Sequence, residues 1–442
     1  MFWFLFGLLI ACNTLHGVEQ EDSLVVFNLA AEEISSILEN THTIQAPELR
    51  GCPPDVSFGV ADVKYNRGKL KVVECGSGEY AYFGDHELAI NGKSHLITGP
   101  YWGLVWHFLK SFGKPIWFVT QEPEFANAFA LETLEACGGK VVPTLQALQK
   151  DPDFTSLKQR SAQTTPHTMQ DAAGIIVFRS TYDKRRNCSA FCKENPSFVV
   201  LNAHTRKFFA KKEATYRFFE QAGMGHALPM TKIYTHAFSP DLAENILRSL
   251  PKFEHLIIKP TDGSLARGVN IVKRDDLHRL LPDILQQTLS SRTGKRPAGI
   301  FPINRHVFAS FMASEFFPSQ TLLVDGKPWD PTMRVMYVMW HDQGVIRTNV
   351  LGCYWKIAGA PLNDPDAPLH AKHITNPIAY GPILPLFQVD PTDQHQLKES
   401  LKRILAQVYR TVLKTDDGGE NEAQRDQEIY RPNRMRRTRR VK

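Results

Sequence analysis

Apolar and polar residues alternate from Asp55 to Ile90: Val60, Val63 and Tyr65, then Asn66-Arg67-Gly68, then Leu70, Val72 and Val73. That pattern predicts two strands joined by a glycine-containing turn. Over Tyr101–Phe112 the spacing becomes helical. Leu104, Val105, Phe108, Leu109 and Phe112 share one face, Gly113 ends the run, and the aromatic stripe Trp102, Trp106, Phe108 reads as core. Strand-like Ile116–Val119, a helix around Glu124–Ala136 closed by Gly138, and strand-like Val141-Val142, Gly174–Phe178 and Phe198–Leu201 follow. Strand–helix–strand alternation predicts an α/β layer with a parallel sheet. Residues 151–170 are polar and read as an irregular loop.

In the second half, Thr215, Phe218, Phe219 and Ala222 form the stripe of a helix that opens at Lys212 and closes at Gly223, and a strand begins near Pro229. The apolar run Leu256–Ile258 ends in Lys259, and a second run holds Val269, Ile271 and Val272. The polar loop between them carries Gly263, Ser264, Arg267 and Gly268. Two strands joined by such a loop read as a hairpin whose glycines let backbone amides approach a phosphate, and equally as an exposed hairpin with solvated charges. Phe308–Phe317 is strand-like. Leu322–Val324, the Asp325-Gly326 turn and Arg334–Val338 read as a further hairpin, because Asp-Gly suits a type I′ turn. Glu399–Leu413 is a last amphipathic helix, and residues 414–430 read as disordered.

A chain of 442 residues, 43% hydrophobic, can bury the cores of two or three domains. The net charge of +6 resides in residues 431–442, which hold seven Arg and Lys and no acid; the remainder carries about −1. The body therefore advertises no nucleic-acid face, whereas the basic end could hold an acidic protein, a nucleic acid or an anionic membrane, or be a solvated tail. Residues 2–11 form an uncharged apolar block, too short to span a bilayer and of the length of a signal-peptide core, although no Lys or Arg precedes it. An export signal would carry the chain out of a cytoplasm-like compartment. Seven scattered cysteines read as buried small residues, Cys188 and Cys192 being the one close pair.

The order of Ile258-Lys259-Pro260, Gly263-Ser264, Arg267-Gly268-Val269, Met312–Pro318 and Asp330-Pro331-Thr332-Met333-Arg334 resembles the ATP-grasp superfamily of carboxylate–amine or carboxylate–thiol ligases. The resemblance covers residues 200–380. It implies an α/β chain in which α+β ATP-grasp lobes follow a parallel-sheet α/β domain. It also implies ATP as the nucleotide, held by Lys212 (with Lys211 as rival), Lys259, Gly263, Ser264, Gly268 and Glu315. Arg334 and Arg267 would act on the transferring phosphate. Arg334, at the start of a buried strand, needs an anion, either Asp330 or a phosphate. Lys372-His373-Ile374-Thr375-Asn376 is similar to a stretch of tubulin-tyrosine-ligase-like enzymes, so Lys356, His373 and Asn376 become candidate substrate or phosphate contacts.

Ordinary ATP-grasp chains end on acidic magnesium ligands, and none follows Asn376 in a strand. The Asp62–Gly76 stretch instead resembles the circularly permuted arrangement of eukaryotic-type glutathione synthetases. Asp62 and Glu74 on neighbouring hairpin strands would then share magnesium, or manganese in its place, close to Lys259 and Arg334. Gly76 departs from that pattern, which has Asn there; a solvent-facing edge hairpin is the alternative. The expected domains are a signal-like segment 1–20, a hairpin segment 21–95, an α/β domain 96–225, a nucleotide lobe 226–310, a catalytic lobe 311–413 and a basic tail 414–442. The function implied is ATP-dependent ligation of an amino acid, peptide or protein carboxylate through an acyl phosphate. The alternatives are a kinase for a hydroxyl and a catalytically impaired nucleotide-binding protein.

Overall fold

The computed structural model describes Ser36 and residues 40–77, 86–90, 93–97, 100–120, 134–161, 164–179, 190–235, 239–261, 268–285, 310–375 and 386–416. Residues 1–35, the loop 262–267, Asn376 and the basic tail therefore lie outside the described residues, as does the expected helix up to Thr133.

The chain is α/β, with strands gathered into several sheets that helices cover. In the largest sheet the order is β3 (Lys69–Ser77), β2 (Asp55–Asn66), β16 (Thr332–Asp342), β17 (Val345–Lys356), β18 (Leu386–Gln388), β4 (His86–Ile90) and β5 (Lys93–Ile97), while β1 (His42–Gln45) also pairs with β17. The 60–76 hairpin is thus built into a sheet with strands that follow it by more than 250 residues, Arg334 lying opposite Asp62. Arg67 and Gly68 both take positive φ (47° and 80°) at its turn, where the glycine has no side chain to strain.

Period-two alternation divides this sheet. Ala61, Val63 and Tyr65 of β2, with Met333, Val335 and Tyr337 of β16, pack on one face. They meet the long helix α9 (Pro391–Asp416), through Leu397, Leu401, Leu405 and Val408, helix α4 (Arg206–Ala210), through Phe208, and helix α5 (Lys212–Gln221), through Tyr216, Phe218 and Phe219. On the other face, Val56, Phe58, Val60, Met336, Val338 and Trp340 pack against helix α1 (Pro100–Lys110) and the parallel-sheet layer. Trp106 and Phe108 lie in that core, as their stripe predicts.

The parallel-sheet layer runs β7 (Lys140–Val142), β6 (Ile116–Thr120), β8 (Gly174–Arg179), β9 (Phe198–Val200), all pairs parallel as expected. A second core lies on its far side, where Phe154 stacks on Phe198 at 4.6 Å. Residues 151–170 are not the irregular loop expected. Beside a short helix α2 (Leu145–Lys150), Pro152–Arg160 forms helix α3, whose N-cap Asp151 accepts a hydrogen bond from the Phe154 amide at 2.9 Å. An Asp-Pro start is a helix signal that the polar composition obscures.

A smaller antiparallel sheet runs β10 (Thr231–Thr235), β13 (Ser310–Glu315), β11 (His255–Pro260), β12 (Asn270–Lys273). Leu256 and Ile258 of β11 face its own core, with helices α6 (Leu242–Ser249) and α7 (Leu277–Ile284); Lys259, one residue out of phase, points the other way. The Asp325-Gly326 turn is confirmed by φ of 50° and 72°, but it joins β14 (Leu322–Val324) to β15 (Lys327–Trp329), while Arg334–Val338 belongs to β16. Cys75, Cys137 and Cys353 are free thiols, and Cys188 of the close pair lies outside the described residues.

Close packing inside the largest sheet gives a first testable consequence. Gly59 lies opposite Tyr337, and a Cβ at Gly59 would meet the Tyr337 ring and hydroxyl at 2.6 Å. Tyr337 is fully buried, so Gly59→Ala is expected to cost about 1–3 kcal/mol through overpacking. Urea unfolding checks it; an unchanged midpoint would show that the ring moves freely.

Candidate functional site: a charged hub on the 60–76 hairpin

The covered apolar face of β2 and β16 ends at Val60 and Met336, and beyond it the same face turns charged. Asp62 and Lys64 of β2 continue the row, Arg334 stands opposite Asp62, and Tyr354 of β17 opposite Arg334. On β3, Lys71 and Glu74 lie opposite Lys64 and Asp62, a bulge falling between the two pairs. Four charged side chains of one hairpin thus share one face, and each is tied to a different part of the chain.

Asp62 is held by two cations. Arg334 donates to both its oxygens, Nε to Oδ1 at 2.9 Å and Nη2 to Oδ2 at 3.1 Å, and Lys356 Nζ donates to Oδ2 at 2.8 Å. Burial alone would raise Asp62, but Arg334 and Lys356 override it and hold the carboxyl well below its ordinary range. The partner of Arg334 is therefore Asp62 and not Asp330. Asp330, almost fully buried, accepts instead from Lys64 Nζ at 3.0 Å and from the Ser319 amide at 2.8 Å, and lies 2.7 Å from His373 Nδ1. His373, on the short helix α8 (Leu369–His373), also packs edge-on against Phe316.

Glu74 pairs with Lys212 at 3.1 Å, at the start of α5. The backbone amide of Lys212 donates to the Thr261 carbonyl at 3.0 Å, fixing that helix start beside the end of β11. Lys259 reaches across from β11, donating to the Val73 carbonyl at 3.2 Å and to the Tyr216 hydroxyl at 3.4 Å. Glu315 at the end of β13 lies 3.5 Å from Lys71. Gly268 takes φ of 73°, and its carbonyl accepts from the Asn270 side chain at 2.9 Å.

Asp62, Glu74, Lys212, Lys259, Arg334 and Lys356 are thus one cluster, with Glu315 and His373 joined to it through Lys71 and through Lys64 and Asp330. Arg267, Gly263, Ser264 and Asn376 lie outside the described residues. Sequence reasoning missed Lys64 and Tyr216. Lys64 was detectable as a charge two residues from Asp62 in an otherwise apolar strand, and Tyr216 as the residue one turn after Lys212.

The cluster sets four cations (Lys212, Lys259, Arg334, Lys356) against two carboxylates (Asp62, Glu74). Such a site attracts an anion and repels a bare cation. No group of three or more His, Cys, Asp or Glu that could hold a metal occurs among the described residues, and both oxygens of Asp62 are engaged. These residues do not fit a resident metal centre. Gly76 lies opposite Val60, and a Cβ there would stand 3.6 Å from it, an ordinary contact, so the position has room for a side chain.

No protein-family model matches the chain, and no curated protein matches it by sequence. Among solved structures it is similar to a protein assigned as a gamma-glutamylcysteine synthetase from Methylobacillus flagellatus, at 12% identity and TM-score 0.38, over 90% of this chain and 96% of that one. It is similar also to a glutathione synthetase-like effector from Globodera pallida, at 10% identity and TM-score 0.34, over 77% and 83% of the two chains. A third is a RimK domain ATP-grasp protein from Sphaerobacter thermophilus, at 15% identity and TM-score 0.26, over 52% of this chain and 90% of that one. At these scores the likeness carries no residue role, and the roles below rest on the chain's own geometry.

Burial pushes Lys259 down to about 8, with Glu74 pulling the other way. Burial and the Arg334 charge likewise bring Lys356 to about 8 against the pull of Asp62. A bound polyphosphate would raise both lysines again. The affinity of such an anion, with ATP as the probe, should therefore be level below pH 8 and fall above it, by about tenfold per pH unit for each lysine that must take up a proton. Calorimetric titration from pH 7 to 9.5 checks this; a flat affinity would place the phosphates away from both lysines.

Proposed function

We propose that the protein is an ATP-dependent ligase that activates a carboxylate as an acyl phosphate and passes the acyl group to an amine or thiol. One observation carries the reading: the small sheet, helix α5 and the largest sheet each send a cation to one hairpin, and the cations outnumber the carboxylates there. An anion with several negative charges satisfies that surplus. Lys259, Lys212 and Arg334 would hold the phosphates, and the strand end at Glu315 would receive the ribose or an amine. In the first step the carboxylate oxygen attacks the γ-phosphorus and ADP leaves. In the second, the amine or thiol attacks the acyl carbon, loses its proton and expels phosphate. Arg334 and Lys356 would stabilise the negative charge shared between the two oxygens during transfer. The substrate we propose is an amino acid, peptide or protein carboxylate.

The test is trapping. The protein, ATP and a panel of amino-acid and peptide carboxylates are incubated with hydroxylamine. Equal amounts of ADP and acyl hydroxamate are expected. A stable phosphoester would show a kinase on the same phosphate clamp, and ATP binding without any product would show an inactive nucleotide-binding protein.

A further inference from the structure

We infer that Asp62 is the internal counter-anion of this site, occupying the place of a ligand phosphate until a polyphosphate displaces it. The inference rests on the nucleotide reading above but goes beyond it, and it replaces the expectation that Asp62 is a standing metal ligand. Its basis is geometric. A carboxylate that accepts both forks of Arg334 and the ammonium of Lys356 presents its two oxygens as a bound phosphate would. The two carboxylates of the hairpin are not equivalent. Glu74 has a side chain 46% exposed and, among the described residues, pairs with one cation, Lys212, whereas Asp62 is 16% exposed and holds two. Among the described carboxylates it is Asp62 that sits where an anion would have to go to reach both Arg334 and Lys356. Its displacement leaves a carboxylate facing the incoming phosphates. Asp62 is therefore a positioning residue that disfavours bare polyphosphate at the site.

The experiment uses inorganic tripolyphosphate in EDTA as the probe and compares the full chain with Asp62→Asn and Glu74→Gln by calorimetry. Both variants remove one negative charge, but only the first frees Arg334 and Lys356. Asp62→Asn is expected to bind at least about tenfold more tightly than the wild type, with a clearly smaller gain for Glu74→Gln. A gain for Asp62→Asn no larger than that for Glu74→Gln overturns the inference, because the effect is then net charge alone. Removing one partner of a partly buried ion pair also lowers stability. If Asp62→Asn melts lower, tripolyphosphate should raise its melting temperature by more than it raises that of Gly59→Ala, whose site is unchanged; an equal or smaller rise for Asp62→Asn also overturns it. Binding of magnesium-ATP to the wild type is read separately. Its absence would remove the nucleotide reading, whereas its presence with no gain in Asp62→Asn removes this inference alone.

Discussion

Lys259→Met should weaken ATP binding by about 10- to 150-fold, the equivalent of losing a charge-assisted contact worth about 1.5–3 kcal/mol. The fold should not suffer. Lys259 is buried, reaches out from the non-core face of β11, and among the described residues its hydrogen-bond partners are a carbonyl and a tyrosine hydroxyl. Burial holds it at about 8, below the ordinary value of 10.5. A lysine depressed on folding opposes stability at and below pH 8, and that opposition fades as the pH climbs towards 10.5. The methionine variant should therefore be at least as stable as the wild type at pH 7, with its advantage disappearing at high pH. Calorimetry with ATP and thermal melts across pH read both halves. Unchanged affinity would remove Lys259 from the nucleotide site, and a large loss of stability would make it a structural lysine.

Arg334→Lys should act on turnover more than on binding. The guanidinium grips both oxygens of Asp62 as a planar fork, which an ammonium cannot reproduce. Charge is kept, so ATP affinity should change less than about tenfold, whereas loss of one oriented donor at the transferring phosphate should cost about 100- to 1,000-fold in rate. Initial rates of ADP release, measured with hydroxylamine and an accepted carboxylate, separate the two. An equal loss in rate and affinity, together with a lowered melting temperature, would show that the Arg334–Asp62 pair only holds β16 to β2.

The parts of this site that were legible in the sequence are those that local pattern encodes. Lys259 is marked by the apolar run that ends on it, and the 62–74 hairpin by alternation around a glycine turn, because strand periodicity and turn chemistry act over a few residues. What sequence reasoning could not supply is pairing across the fold. Arg334 needs an anion, yet Asp330, four residues away, and Asp62, 272 residues away, satisfy the same requirement. The choice between them depends on which strand lies beside β16, and local chemistry does not determine it. Once β2 takes that place, Asp330 is left to Lys64 and His373. The helix at Pro152–Arg160 was missed for a different reason: it buries only Phe154 fully, so its apolar stripe is too thin to register.

The most direct test of the central claim is the structure of the protein bound to a non-hydrolysable ATP analogue. Phosphate oxygens should lie about 3 Å from Lys259 Nζ, between the small sheet and the 60–76 hairpin, with Lys212 and Arg334 on the same phosphates. A nucleotide bound elsewhere, such as on the parallel-sheet layer, or phosphates that touch none of these three cations, would contradict the account.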